Sequence, residues 1–240
     1  DGRKYSIACE CKYWKANISQ EITNISATYT SGSGVFATLG TAVCSLSGQI
    51  TVTQNIFLIN GWNIISHYVT PPDVNMLQIF QPLINQQYLV KVIDERGFAV
   101  ENIPGIGWIN NIGNWAHTEG YYVRVSSNCT LSVTGLPIQL PLDIPLINGW
   151  NIISYPVSEP RSAMLVFNEL ITSNKLVKVV SQSGAALEFI PGIGWINNIG
   201  DLQPGQGYYV KVNSDCTLII HPTVNSRSNK SLEQKSSNKE

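Results

Sequence analysis

The chain has 240 residues, 43% of them apolar and only 13% charged, enough for one large or two smaller folded domains with about half the charge usual for globular proteins. A formal net charge of -1 supplies no basic field of the kind that nucleic acid or an anionic membrane surface requires. No stretch reaches the ~18 apolar residues of a membrane span, and the polarity comes instead from Asn, Ser, Thr and Gln, which hydrogen-bond without charge.

Residues 1–54 open at Asp1 with no basic-then-apolar leader, which reads as a processed or excised piece. Cys9-Glu10-Cys11 places both thiols on one face of a strand, unlike the two-residue knuckle of a zinc site. Trp14 to Ser19 echoes a W-x-x-N-I-G string found later, GSGVF at 32–36 echoes GQGYY at 205–209, and Cys44-Ser45-Leu46 falls where Cys129-Thr130-Leu131 falls. Either these matches are coincidence or the segment is a partial, degenerate β module, the C-terminal half of a unit seen complete further on.

That unit is duplicated almost literally. LINGWNIIS at 58–66 recurs at 146–154, and IPGIGWINNIG at 103–113 recurs at 190–200. Gly120 and Cys129 recur at Gly207 and Cys216, and the offset drops from 88 to 87. The lost residue is assigned to the segment where MLQIFQPLINQQYLVKV at 76–92 faces MLVFNELITSNKLVKV at 164–179. Self-similarity at this period marks tandem modules, expected at 55–135 and 143–222, with a proline-rich linker at 136–142 and a disordered polar tail at 223–240.

Within a module, Asn60-Gly61 announces a short strand, WNIIS. Asp73 is the expected N-cap of a helix carrying Val74, Leu77 and Phe80 at helical spacing. LVKVID and FAVEN form a hairpin about Glu95-Arg96-Gly97. A glycine-rich loop, PGIGWINNIGN, then leads into a strand pair, GYYVRVS and CTLSVTG, broken at Ser127-Asn128. The fold class is therefore mainly β with a minor α+β character: tandem small β-rich modules with one short helix each, preceded by a partial β module. Trp62 and Trp150 share a face with Ile64 and Ile152 and are expected in the core.

Duplication also tests for an active site, because a residue serving a site in each module should recur. No histidine recurs; the shared charged residues are Glu101 with Glu188, Lys91 with Lys178, and Arg124 with Lys211. One carboxylate per module is not an acid and base pair, and those charges are expected to pair at the surface. No calcium loop, phosphate loop, dinucleotide fingerprint or nucleophile elbow is present. No enzyme activity and no cofactor are expected.

A binding role has better candidates. Trp108 and Trp195 stand in the glycine-flanked loop beside Asn110 and Asn197. An exposed indole backed by amides can stack and hydrogen-bond a sugar ring, so these four are candidate contacts for neutral glycans, unless the loop tucks the indoles under the sheet. Cys9, Cys11, Cys44, Cys129 and Cys216 are disulfide candidates, and their odd number leaves a thiol free or paired between chains. A bridge from Cys129 to Cys216 would require the copies to pack about a local two-fold axis, and Cys44 with Cys9 or Cys11 would staple the N-terminal piece. Asn17, Asn24, Asn128 and Asn229 head glycosylation sequons. Cysteines and sequons together favour an extracellular or cell-surface location.

The succession G-W-N-x-I-S, short helix, L-V-K-V, G-x-W-x-N-x-I-G and G-x-G-Y-Y-V-K-V resembles tandem modules of large secreted and cell-surface proteins of bacteria and archaea. The resemblance covers residues 55–222 and implies β-rich, non-catalytic units found beside adhesins and enzymes alike. The cysteine in the last strand and the incomplete front depart from that pattern. The expected function is a structural or adhesive surface protein that self-assembles by strand addition or intermolecular disulfides, with copies of itself, other surface proteins or neutral glycans as partners; the alternative is a carbohydrate-binding module using the loop tryptophans.

Overall fold

A computed structural model describes the backbone of two short strands, β1 (Ile25–Thr28) and β2 (Thr41–Cys44), and residues 50–222 in full. Cys9, Cys11, Asn17, Asn24, Asn229, the side chain of Cys44 and the polar tail lie outside the described residues. The chain divides after Gln49 into two units. In the first, β1 and β2 pair antiparallel, Ile25 opposite Cys44.

The second unit holds both modules, and it is mainly β. Module 1 comprises β3 (Val52–Leu58), β4 (Gly61–Ile65), β5 (Val69–Thr70), α1 (Met76–Asn85), β6 (Leu89–Ile93), β7 (Ala99–Ile103), β8 (Gly107–Asn110), β9 (Tyr121–Val125) and β10 (Cys129–Pro137). Module 2 comprises β11 (Leu142–Leu146), β12 (Gly149–Ile153), β13 (Arg161–Ser162), α2 (Ala163–Val166), α3 (Asn168–Thr172), β14 (Leu176–Val180), β15 (Ala186–Ile190), β16 (Gly194–Asn197), β17 (Asp201–Leu202), β18 (Tyr208–Val212) and β19 (Cys216–Ile220). Each builds a five-stranded antiparallel sheet, β4-β9-β6-β7-β8 and β12-β18-β14-β15-β16, and a smaller sheet from its first and last strands. Alternation along β3 turns Ile56 and Leu58 inward, where Leu131 and Val133 of β10, Val92, Val100 and Val123 of the large sheet, and Met76, Phe80 and Leu83 of α1 meet them in one core.

The helix begins later than its sequence suggests. Asn75, not Asp73, is the N-cap: its Oδ1 accepts from the Leu77 N–H at 2.9 Å, while Asp73 Oδ1 accepts from the Asn75 N–H and sets up the entry turn. The missing residue also lies upstream of the helix. Met76 N–H bonds the Gly113 carbonyl and Ala163 N–H bonds the Gly200 carbonyl, so Met76 matches Ala163 and the 87-residue offset already holds there. The lost residue belongs to the Pro71–Asp73 turn. The shared Met-Leu pair misleads because Met164 and Leu165 stand one position on; Leu165 is exposed while Ala163 is buried.

Two further expectations change. The supposed glycine-rich loop is largely strand β8, paired with β7 from Ile103↔Gly107 to Val100↔Asn110. Gly105 (φ +80°) and Gly107 (φ +98°) adopt left-handed backbone angles that let the chain reverse within a few residues. And β9 and β10 are not partners: β9 lies inside the large sheet, whereas β10 crosses to pair with β3 along Cys129–Gly135. The crossing is fastened by Asn128 Oδ1, which accepts from Asn60 N–H at 2.8 Å; Asp215 does the same for Asn148. Since Val52 opposes Gly135, module 1 starts before the visible repeat identity. The linker is packed, Leu136 pairing with Thr70 and Ile138 N–H bonding the Tyr68 carbonyl.

Candidate binding surface at the module junction

The central asparagine of each N-G-W-N string holds the local geometry. Asn63 is buried; its Nδ2 donates to the carbonyls of Ile59, Gly61 and Val123, and its Oδ1 accepts from Ile59 N–H. Asn151 repeats all four bonds in module 2. This bracket fixes where β4 and β12 begin, and hence where their free edges lie.

Those edges are closed reciprocally. Ser66 N–H bonds Gly205 O at 2.9 Å and Gly207 N–H bonds Ile64 O at 3.0 Å; the mirror contacts are Ser154 N–H to Thr118 O at 3.1 Å and Gly120 N–H to Ile152 O at 3.0 Å. Every partner obeys the repeat offset, so the modules pack about a local two-fold axis. A Cβ on Gly120 would lie 2.7 Å from Ile153 O, and one on Gly207 2.9 Å from Ile65 O. That close approach is why the Y-Y-V strand of each copy is preceded by glycine.

The free N–H groups of the two edge strands are capped from across the axis as well. Gln182 Oε1 accepts from Ile64 N–H at 2.8 Å, and the Glu95 carboxyl accepts from Ile152 N–H. Burial, with Glu119 and Asp94 nearby, raises the Glu95 pKa, while the Ile152 bond and Arg96 oppose the rise. Gln182 stands where Glu95 does in the first copy, so the residue changes between copies while the role recurs.

Across this junction runs a row of four aromatic rings. Tyr122 and Tyr209 meet at the axis through their hydroxyls, with ring centres 5.7 Å apart. Trp62 lies edge-on to Tyr122 at 6.2 Å and Trp150 edge-on to Tyr209 at 6.3 Å. The expectation of core tryptophans fails here: Trp62 and Trp150 are 44% and 47% exposed. The face they share with Ile64 and Ile152 is the outer face of each sheet, where only the isoleucines are covered by the other module. Arg124 and Lys211, directly opposite on β9 and β18, hold their cations 5.8 and 5.7 Å from the indole centres. A depression of about 500 Å³ opens at the Trp150 end of the row, lined by Glu95, Tyr122, Trp150, Ile152, Val180 and Tyr209. A second groove of about 580 Å³ lies between the modules and brings Ile56 and Phe57 towards Gln182 and Asn198.

The expected glycan contacts are placed differently. Trp108 and Trp195 are half-buried on the edge strands β8 and β16 and pack partly against their cores. Asn110 Nδ2 donates to Gly113 O and its Oδ1 accepts from Gly113 N–H, and Asn197 closes the same loop through Gly200. These amides hold turns. Lys91 and Glu101 pair across β6 and β7 at 2.7 Å, as do Lys178 and Glu188 across β14 and β15. Cys129 and Cys216 are half-buried unpaired thiols, and burial raises the pKa of each. Asn128 is exposed beside its turn.

Among the described residues no cluster of three or more His, Cys, Asp or Glu side chains is arranged to hold a metal ion, and no helix is long and apolar enough to cross a membrane. No protein family matches the chain, and no curated protein or solved structure matches it significantly.

The sequence signal for the aromatic row was available. Trp62 and Trp150 recur, each opposite a recurring cation, in a strand whose two faces are both apolar. It was missed because a buried isoleucine two residues away on the same face implies a buried neighbour when only one module is considered.

Proposed function

We propose that this chain is a non-catalytic, extracellular or cell-surface protein of structural or adhesive type. What carries the reading is the use made of the duplicated polar residues. Lys91, Glu101, Lys178 and Glu188 are taken up in cross-strand pairs, and Asn63, Asn151, Asn110 and Asn197 in fixing turns. The recurring groups left facing solvent are largely apolar, Trp62 with Trp150, Ile59 with Ile147 and Ile106 with Ile193, as in a surface that adheres. The resemblance to modules of secreted and surface proteins, the cysteines and the exposed sequon at Asn128 support the same location. Cys129 and Cys216 are poor crosslinkers, since a half-buried thiol with a raised pKa forms little thiolate; self-assembly is assigned to non-covalent contact or to the N-terminal cysteines.

Light scattering of the full chain after size exclusion, with and without reductant, tests self-assembly, and adhesion to immobilised cell-envelope material tests the surface role. Concentration-dependent larger species or saturable adhesion supports the reading. A strict monomer that adheres to nothing, or turnover of a glycan or peptide panel, refutes it.

A further inference from the structure

Among the described residues, the row Trp62–Tyr122–Tyr209–Trp150 is a recurring aromatic feature whose exposed indoles neither core nor junction explains. The tyrosines contribute to the junction, but both indoles project outward on opposite sides of it. We propose that this row is a stacking platform for an extended neutral polysaccharide. The proposal rests on the adhesive reading above and names its ligand class.

Three observations favour a neutral glycan over other occupants. The rings follow one another at 6.2, 5.7 and 6.3 Å, turned by 84°, 57° and 85°, so the row offers a succession of separate apolar surfaces, and pyranose rings carry apolar C–H faces that pack against such surfaces while their rims need hydrogen-bond partners. The two tyrosine hydroxyls at the axis and the Arg124 and Lys211 heads beside the indoles provide those partners. The second observation is the two-fold repetition, which puts an indole at each end of the row, separated by both tyrosines, a span that an extended oligomer covers and a single sugar does not. The third is charge: Lys91 and Lys178 on the same sheets are neutralised by Glu101 and Glu188, and the two cations at the indoles, Arg124 and Lys211, are balanced in number by Glu95, which lines the depression, and Glu119 near it, so the strip has no strong field to select a polyanion.

Affinity electrophoresis of the full chain tests this, in native gels containing a soluble β-glucan, a galactomannan, a neutral xylan or, for comparison, a polyuronate. The expected result is retardation by at least one neutral polymer that persists at high salt and weakens tenfold or more in Trp62→Ala/Trp150→Ala. Those side chains are outside the core, and unchanged circular dichroism verifies the fold; Trp62→Phe/Trp150→Phe, which keeps an aromatic face, should recover part of the binding. No retardation by any neutral polymer overturns the proposal, as does retardation by the polyuronate alone that salt abolishes, or binding indifferent to the double substitution. If the double substitution instead abolishes self-association of a chain that binds no glycan, the row is a contact between copies: the glycan proposal falls and the adhesive reading stands.

Discussion

The imidazole of His67 is fully buried, its ring centre 4.2 Å from Trp115 and 5.4 Å from His117. Neither of its nitrogens, nor Trp115 Nε1, has a hydrogen-bond partner among the described residues. Burial, helped by His117, lowers its pKa from 6.5 to about 3. The folded pKa lies below the unfolded one, so the unfolded chain takes up a proton first as the pH falls. The stability contributed by the neutral ring is complete above pH 6.5 and is lost progressively down to about pH 3. At 1.36 kcal/mol per pH unit the loss amounts to about 5 kcal/mol over that interval, comparable with the whole stability of many domains. Urea unfolding of the full chain, followed by tryptophan fluorescence at several pH values from 7.5 to 4, should show it. His67→Phe should flatten the dependence below pH 6, and at pH 7 should be neutral or stabilising by about 1 kcal/mol, because two unpaired buried nitrogens disappear. Parallel pH profiles for the two proteins would refute the reasoning.

At the junction, Gly120→Ala or Gly207→Ala drives a methyl into backbone at 2.7 or 2.9 Å and should cost about 2–3 kcal/mol, read by calorimetry, with parting of the modules visible in small-angle scattering. Asn63→Ala strands the Ile59 N–H and three carbonyls and should destabilise by about 2–4 kcal/mol in urea; Asn151→Ala should match it. Glu95→Gln copies Gln182, keeping an acceptor for Ile152 without the charge. Because the folded Glu95 pKa is raised, its favourable contribution is present at low pH and lost as the pH rises through the folded value, so the variant should be more stable than the parent at pH 7 and equal to it at pH 3.5. Residues 50–141 expressed alone should dimerise in light scattering, with Glu95, Gly120 and Thr118 of a second copy taking the places of Gln182, Gly207 and Gly205; a stable monomer would contradict the account of the junction.

The duplication, the hairpin about Glu95-Arg96-Gly97 and the pairing of the shared lysines with the shared glutamates were legible because each depends on local pattern or on residues that face one another within one hairpin, whereas Arg124 and Lys211, also expected to pair, lie over Trp62 and Trp150 instead. Lys91 opposite Glu101 is such a case. What escaped depends on contacts between modules. GWNII has no polar face because one side enters its own core through Ile65 while Ile64, on the other side, is covered by the second module. Periodicity cannot tell that arrangement from an ordinary buried strand. The helix start escaped for a different reason: both Asp73 and Asn75 are competent caps, and the choice is made by Asn110, whose Nδ2 donates to Asn75 Oδ1 from the end of β8, far along the chain.

The same junction accounts for the near-literal identity of LINGWNIIS and GYYV and for the drift of residues around them, whereas the identical IPGIGWINNIG is held by its own hairpin and turn. Drift is tolerated where chemistry can be kept by a different side chain. Glu95 and Gln182 both accept from an edge N–H, Glu119 and Gln206 both accept from the tyrosine hydroxyl that begins the Y-Y-V strand, and Asn128 and Asp215 both fasten the crossing between sheets. In each pair the working atom is one carbonyl-type oxygen, which amide and carboxylate supply alike. No such substitute exists for a glycine against a facing carbonyl, or for an asparagine that must donate two or three bonds and accept one at the same time. Those positions lie in LINGWNIIS and GYYV, the strings that reach the junction. A change in either would have to be matched by the loop of the other copy, so the axis that closes the two open sheet edges also couples the two sequences. Trp62 and Trp150 lie outside that coupling, on the solvent side of the same strands, and their persistence in both copies therefore needs a cause other than the junction.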